Sequence, residues 1–131
     1  KNLRETRMIR VKKEVEAVSS FISSHHTSPF ILSLGGGAAD NDPLMSILHE
    51  NGKIVYLKRN EEDMLGVILK HGVPAFLDKD DPARSFSILY ERRNAIYEKQ
   101  ADLTIDLGPY GDKKATEDYI WSFLKEKNYV R

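Results

Sequence analysis

The residues of this chain that could do chemistry are few, and the most concentrated are three consecutive glycines, Gly35-Gly36-Gly37. With no side chains there, the backbone can turn tightly and a ligand can come close to its N–H groups. The apolar run Phe30-Ile31-Leu32-Ser33-Leu34 before them predicts a short buried strand. After them comes Asp40-Asn41-Asp42-Pro43, where Asp42 reads as an N-cap and Pro43 as the first helical residue. In open α/β sheets ligands bind outside the carboxyl ends of strands, so this turn is a candidate site. A tight strand-to-helix connection that binds nothing has the same spacing. The second candidate is Arg93, which falls inside the stripe Phe86, Leu89, Tyr90 and Tyr97 of a helix expected over about 82–99. A guanidinium on an apolar face is paired, holds an anion, or snorkels along the edge of the stripe. The adjacent His25 and His26 have no carboxylate or cysteine at ligand spacing and read as part of a solvated loop.

The elements that must position these residues follow from periodicity. Met8, Val11, Val15, Val18 and Ile22 predict a helix over about 5–24, ended by the polar loop Ser23–Pro29. Leu44, Ile47 and Leu48 give a short helix closed by Asn51-Gly52, and Lys53–Leu57 a second strand. Glu61-Glu62-Asp63 opens a helix with apolar face Met64, Leu65, Ile68 and Leu69, which Gly72 ends. Residues 73–82 read as a mobile loop before the long helix that Asp81-Pro82 starts. Asp102–Asp106 is a third strand, Gly108 and Gly111 make a loop, and Tyr119, Ile120, Phe123 and Leu124 mark a closing helix. Strands alternating with helices argue for an α/β fold with a parallel sheet.

Composition bounds the rest. A chain of 131 residues allows one domain, 1–131. Its 20 basic and 20 acidic residues balance, so no field recruits nucleic acid or an anionic membrane. No cysteine is present, which excludes a disulfide framework and a thiolate metal site and suits a cytoplasmic location. No apolar run is long enough to cross a bilayer, and no signal-peptide pattern opens the chain. The first residue is Lys1 rather than methionine, which suggests a trimmed or partial chain.

In their order these motifs resemble the shikimate kinase family. Leu32-Ser33-Leu34-Gly35-Gly36-Gly37-Ala38 is similar to that family's glycine triplet after its third strand, and Ile54-Val55-Tyr56-Leu57 to its next strand. Glu91-Arg92-Arg93-Asn94-Ala95-Ile96-Tyr97-Glu98-Lys99-Gln100-Ala101-Asp102 resembles its arginine–x–x–x–tyrosine–glutamate…alanine–aspartate segment. The resemblance covers roughly residues 10–128. It implies ATP- and Mg²⁺-dependent phosphorylation of the 3-hydroxyl of shikimate, a step of aromatic amino-acid biosynthesis. It further implies that Gly36 offers its N–H to the substrate, that Gly35 and Gly37 shape the turn, and that Arg93 grips the shikimate carboxylate, converging with Gly36 on one anionic ligand. Arg10 and Glu14 stand nearest to a phenylalanine–arginine–x–x–glutamate motif and are carried over as substrate-binding residues. No catalytic residue is assigned.

Three departures from the family qualify this. No Gly-x-x-x-x-Gly-Lys-Ser/Thr occurs, so no P-loop here cradles ATP, and the acidic substrate-binding position after it is absent. Val73-Pro74-Ala75-Phe76-Leu77 stands where the lid carries arginine–proline–leucine–leucine, and the stacking arginine before the lid has no counterpart unless Lys70 serves. Arg10 lies one position off the expected arginine. The expectation is therefore a three-layer P-loop NTPase-like fold, a parallel sheet with helices on both faces, whose N-terminal βα unit is missing from this chain. An upstream segment or a second chain would complete the sheet, and a lid over about 72–82 would close on the nucleotide. The fragment alone is expected to be inactive. Two alternatives stay open: a related P-loop kinase for another small metabolite, and a degenerate kinase-like domain without phosphoryl transfer.

Overall fold

Asn2 opens the first helix by accepting the Glu5 N–H at 2.9 Å, and α1 runs Leu3–His25. The computed structural model describes residues 2–130. It falls into two compact units, Lys1–Ile54 and Val55–Arg131.

In the first unit the second half of α1 supplies the core. Val15, Val18 and Ile22 pack with Ala38, Leu44, Met45 and Leu48, the last three on α2, Asp42–Asn51. Burying Ile22, Leu44, Met45 and Leu48 stabilises the unit by about 1.5–3 kcal/mol each. Toward its N-terminus α1 is less covered, and Met8 remains exposed. α1 also continues beyond Ser23, where a polar loop was expected. The His25 ring donates to the Phe21 carbonyl oxygen at 2.8 Å and stacks on the Phe21 ring at 4.1 Å, which holds the last turn together.

The buried strand expected over Phe30–Leu34 is not formed: these residues carry no regular structure. Only Leu32 packs on the core, and Ile31 is 80% exposed. An apolar run signals that burial is sought, but a strand exists only with a ladder partner, and nothing in a run of side-chain types encodes that partner.

The second unit holds a parallel pair, β1 (Val55–Lys58) and β2 (Leu103–Asp106), in register from Val55↔Leu103 to Lys58↔Asp106. Ile105, fully buried, is the centre of this sheet's covered face. The crossover contains α3 (Glu61–Ile68) and α4 (Pro82–Gln100). Asn60 caps α3 by accepting the Glu62 N–H at 2.8 Å, and Glu61, Glu62 and Asp63 sit at its positive end. A 3₁₀ turn, Leu69–His71, leads to Gly72 at φ +104°, a backbone conformation that favours glycine. Asp81 caps α4 by accepting the Arg84 N–H at 3.2 Å. Between them the loop is tied down at its middle: Leu77 is 5% exposed, and the Asp78 N–H donates to Ser85 Oγ at 3.0 Å. Asp112 caps the closing helix α5, Lys113–Glu126. Helices and a small parallel sheet make this an α/β chain.

Candidate functional site

The glycine turn is built by short-range hydrogen bonds. The Ala38 N–H donates to Gly35 O at 3.1 Å, Asp40 N–H to Gly37 O at 3.3 Å, and Asn41 N–H to Ala38 O at 3.0 Å, winding Ala38–Asp40 into a 3₁₀ turn. A Cβ added at Gly35 or Gly37 would meet nothing within 4 Å, and neither residue has a positive φ. Within the protein, therefore, neither packing nor backbone conformation demands glycine at these two positions.

What fixes the turn is Asn41, one position before the N-cap expected at Asp42. Asn41 is 3% exposed and caps α2, accepting the Leu44 N–H on Oδ1 at 3.2 Å. Its amide nitrogen donates to the Val11 carbonyl at 3.2 Å and to Glu14 Oε1 at 3.0 Å, both on α1. The capping residue is one position earlier than expected because this buried site needs a side chain that accepts and donates at once. Asparagine does both; an ionised aspartate only accepts. Glu14 thus has one carboxylate oxygen engaged in bracing the glycine turn, while Arg10, one turn earlier on α1, is exposed and makes no hydrogen bond or ion pair with a described residue.

Arg93 lies on α4 in the other unit and lines a cavity of about 170 Å³. Tyr56 and Arg59 from the β1 side, Phe86, Leu89, Tyr90, Asn94 and Tyr97 from α4, and Met64 from α3 are among its walls. The predicted stripe is there, and Arg93 sits at its solvent-facing edge with no hydrogen bond or ion pair to a described residue. Arg59 is committed elsewhere. Its guanidinium donates to Gly108 O at 3.2 Å and Pro109 O at 2.9 Å and lies 4.2 Å above the Tyr110 ring, while its own carbonyl accepts the Tyr90 hydroxyl at 2.6 Å. No local signal marked this residue, because its partners are some fifty positions away in the sequence.

The floor of the cavity is aromatic. Tyr56 and Tyr97 meet edge to face at 5.1 Å, and the Tyr56 hydroxyl donates to Asn94 Oδ1 at 2.8 Å. Burial, helped by the neighbouring Tyr90 and Glu98, pushes the Tyr56 phenol up to about 12, so it is a fixed neutral donor at physiological pH. Beside it Lys58 pairs with Glu98 at 3.0 Å, and that hydrogen bond raises the lysine above its ordinary value.

Among the described residues no group of three or more His, Cys, Asp or Glu gathers as a metal site, and no helix is long and apolar enough to cross a membrane. A family model described as shikimate kinase matches residues 11–123. Similar curated proteins include the shikimate kinase of Burkholderia thailandensis, 35% identical over 60% of this chain and 42% of that protein. That of Bartonella quintana is 27% identical over 77% of this chain and 51% of its own length, and that of Marinomonas sp. 30% identical over 72% and 52%. No solved structure matches. The chain spans about half the length of the curated relatives it matches. With a match that takes in the glycine turn, Tyr56 and the whole of α4, the chain belongs to the shikimate kinase family.

Proposed function

We propose that the protein containing this chain phosphorylates the 3-hydroxyl of shikimate with ATP, and that these residues form the acceptor-binding half of one kinase domain. The observation that carries this reading is Arg93: a guanidinium with no counter-charge among the described residues, at the edge of a tyrosine-lined cavity. A planar fork there suits bidentate capture of a carboxylate. The glycine turn supports the reading independently, since the space beside Gly35 and Gly37 leaves their bare backbone open to a ligand. In this reading Gly36 offers its N–H to the substrate, and Glu14 acts through Asn41 to hold the turn. Arg10 stays an added, exposed cation of the same unit.

ATP would supply the transferred phosphoryl group and Mg²⁺ would neutralise its charge. The residues of this chain do not fit either: they include no phosphate-cradling Gly-x-x-x-x-Gly-Lys-Ser/Thr. Both groups would be held by residues outside this chain, on a βα unit whose strand would also cover the exposed Phe30–Leu34 run and complete a three-layer, P-loop NTPase-like sheet. The segment 72–82 would close over the nucleotide, hinged at Gly72 and anchored at Leu77. The reaction needs no membrane or nucleic acid and fits a cytoplasmic enzyme.

Val73, in the lid position where the family carries arginine, favours a second reading: a kinase for another small hydroxylated acid, or a domain that binds one without transferring phosphate. Calorimetric titration of shikimate into the full-length protein, with Arg93→Lys and Arg93→Ala beside it, tests the first. Arg93→Lys keeps the charge but loses the fork, so affinity should fall, and it should fall further in Arg93→Ala, by about ten- to a hundredfold. Equal affinity in all three proteins removes Arg93 from the site. No shikimate binding by the unsubstituted protein favours the second reading.

A further inference from the structure

We propose that Asn94 is a second substrate-binding residue of the Arg93 cavity and that the Tyr56 hydroxyl is the positioning group that aims it. This rests on the reading of Arg93 as a carboxylate-binding residue. Asn94 follows Arg93 on α4, is half-buried, and lines the same cavity. Its side-chain oxygen is occupied by the Tyr56 hydroxyl at 2.8 Å. With that oxygen turned to Tyr56, the NH₂ group, which carries two donors, is on the other side of the amide. That nitrogen has no partner among the described residues, and no buried side-chain nitrogen or oxygen among them is left unsatisfied, so it is open to solvent.

The tyrosine cannot easily turn away. Its backbone is held in β1, and its ring is fixed by the edge-to-face contact with Tyr97. Arg59, the other cation of the cavity wall, is turned toward the 108–110 loop: its Nη1 donates to Gly108 and Pro109 and its plane lies on the Tyr110 ring. The Arg93 fork and the Asn94 amide are donors of this cavity that have no partner among the described residues, and they are adjacent on one helix. Two such donors side by side select a small acid that presents a carboxylate, or a carboxylate with a neighbouring hydroxyl.

Shikimate titrations and steady-state kinetics of the full-length protein test this, with Asn94→Ala, Asn94→Asp and Tyr56→Phe set beside Arg93→Ala. Asn94→Ala should weaken shikimate binding about tenfold, the loss of one hydrogen bond to a charged group. Asn94→Asp keeps the size and the bond from Tyr56 but turns a donor into an anion, so it should weaken binding at least as much. Tyr56→Phe leaves the amide free to rotate and should cost severalfold. In each, KM for shikimate should rise while kcat at saturation and KM for ATP hold, a split that a merely structural defect would not produce. Unchanged shikimate affinity in both Asn94 variants, with affinity lost in Arg93→Ala, overturns the proposal and leaves the function standing. Loss in Asn94→Asp with full affinity in Asn94→Ala overturns it too, since that pattern reports charge near Arg93 and no lost donor. Should Asn94→Ala fail to fold, Tyr56→Phe decides, and full shikimate affinity in it overturns the proposal. Full affinity in Arg93→Ala brings down the functional reading and this inference with it.

Discussion

Asn41→Asp is the most informative single change, because it preserves one function of the side chain and inverts the other. The aspartate keeps an oxygen for the Leu44 N–H, so the cap of α2 survives. It replaces the amide nitrogen, 3.0 Å from Glu14 Oε1 and 3.2 Å from the Val11 carbonyl, with a carboxylate oxygen facing two acceptors. The two lost bonds, one of them to a charged acceptor, cost about 2–4 kcal/mol. Two like charges at that separation repel by roughly 5 kcal/mol at an effective dielectric of about 20. Protonation limits the damage: keeping a proton at pH 7 on a carboxyl of ordinary pKa about 4 costs roughly 4 kcal/mol. Glu14 is half-exposed and can swing toward water, which lowers the sum further, to about 3–5 kcal/mol at pH 7. Asn41→Ala loses the cap and both donor bonds, about 3–4 kcal/mol at any pH. The sign of the pH effect separates the two. In Asn41→Asp the folded state raises a carboxyl pKa above its unfolded value. The penalty therefore grows as pH rises from about 4 toward the raised folded value and is relieved below it. At pH 4 the protonated aspartate donates to Glu14 and keeps the cap, so it should be more stable than the alanine variant; at pH 7 it should be equal or worse. Urea unfolding of the full-length proteins, followed by far-UV circular dichroism at both pH values, reads the order directly. The same order of stability at pH 4 and pH 7 would refute the account of Asn41 as a two-way brace.

Tyr56 should make the protein lose stability as pH rises from about 10 to about 12, because the unfolded phenol ionises before the folded one, and Tyr56→Phe should flatten that loss in alkaline melting curves. Arg59→Lys should lower stability by about 1 kcal/mol, since an ammonium cannot span both carbonyls and lie flat on Tyr110; an unchanged melting temperature would show that the loop holds itself. Glu98→Gln should cost less than about 1 kcal/mol and be insensitive above 0.5 M salt, as expected of a partly exposed pair with Lys58. For the proposed reaction, Val73→Arg in the full-length protein should raise turnover or leave it unchanged, and a large loss would mean that the loop has another task.

The parts of the fold legible in the sequence are those whose determinants are local. Asp81-Pro82 and the acids at Glu61–Asp63 marked the starts of α4 and α3 because caps and dipole contacts act within one turn. Gly72 was legible as a helix end for the same reason. Non-local determinants were not. The cap at Asn41 was misplaced by one residue because its choice over Asp42 is made by Val11 and Glu14, on another helix. The strand expected at Phe30–Leu34 is absent because apolarity carries no information about a partner. Arg93 stands out in the sequence as a charge within an apolar stripe, and the structure puts it at that stripe's exposed edge, whereas the pairing of Asn94 with Tyr56 shows only in the hydrogen bond between them.

The parallel pairing of β1 and β2 has a kinetic consequence. Val55 must find Leu103 across the whole of α3, the loop and α4, and closing a flexible segment of that length costs on the order of several kcal/mol in chain entropy. A four-residue ladder cannot repay that by itself, so the strands cannot nucleate folding. α4 must form first and shorten the search by docking Phe86 and Tyr97 beneath β1. The backbone amides of β1 and β2 should then gain protection from solvent exchange together, in a single late step. A glycine placed at the exposed Ala95 of α4 should delay that step without touching either strand.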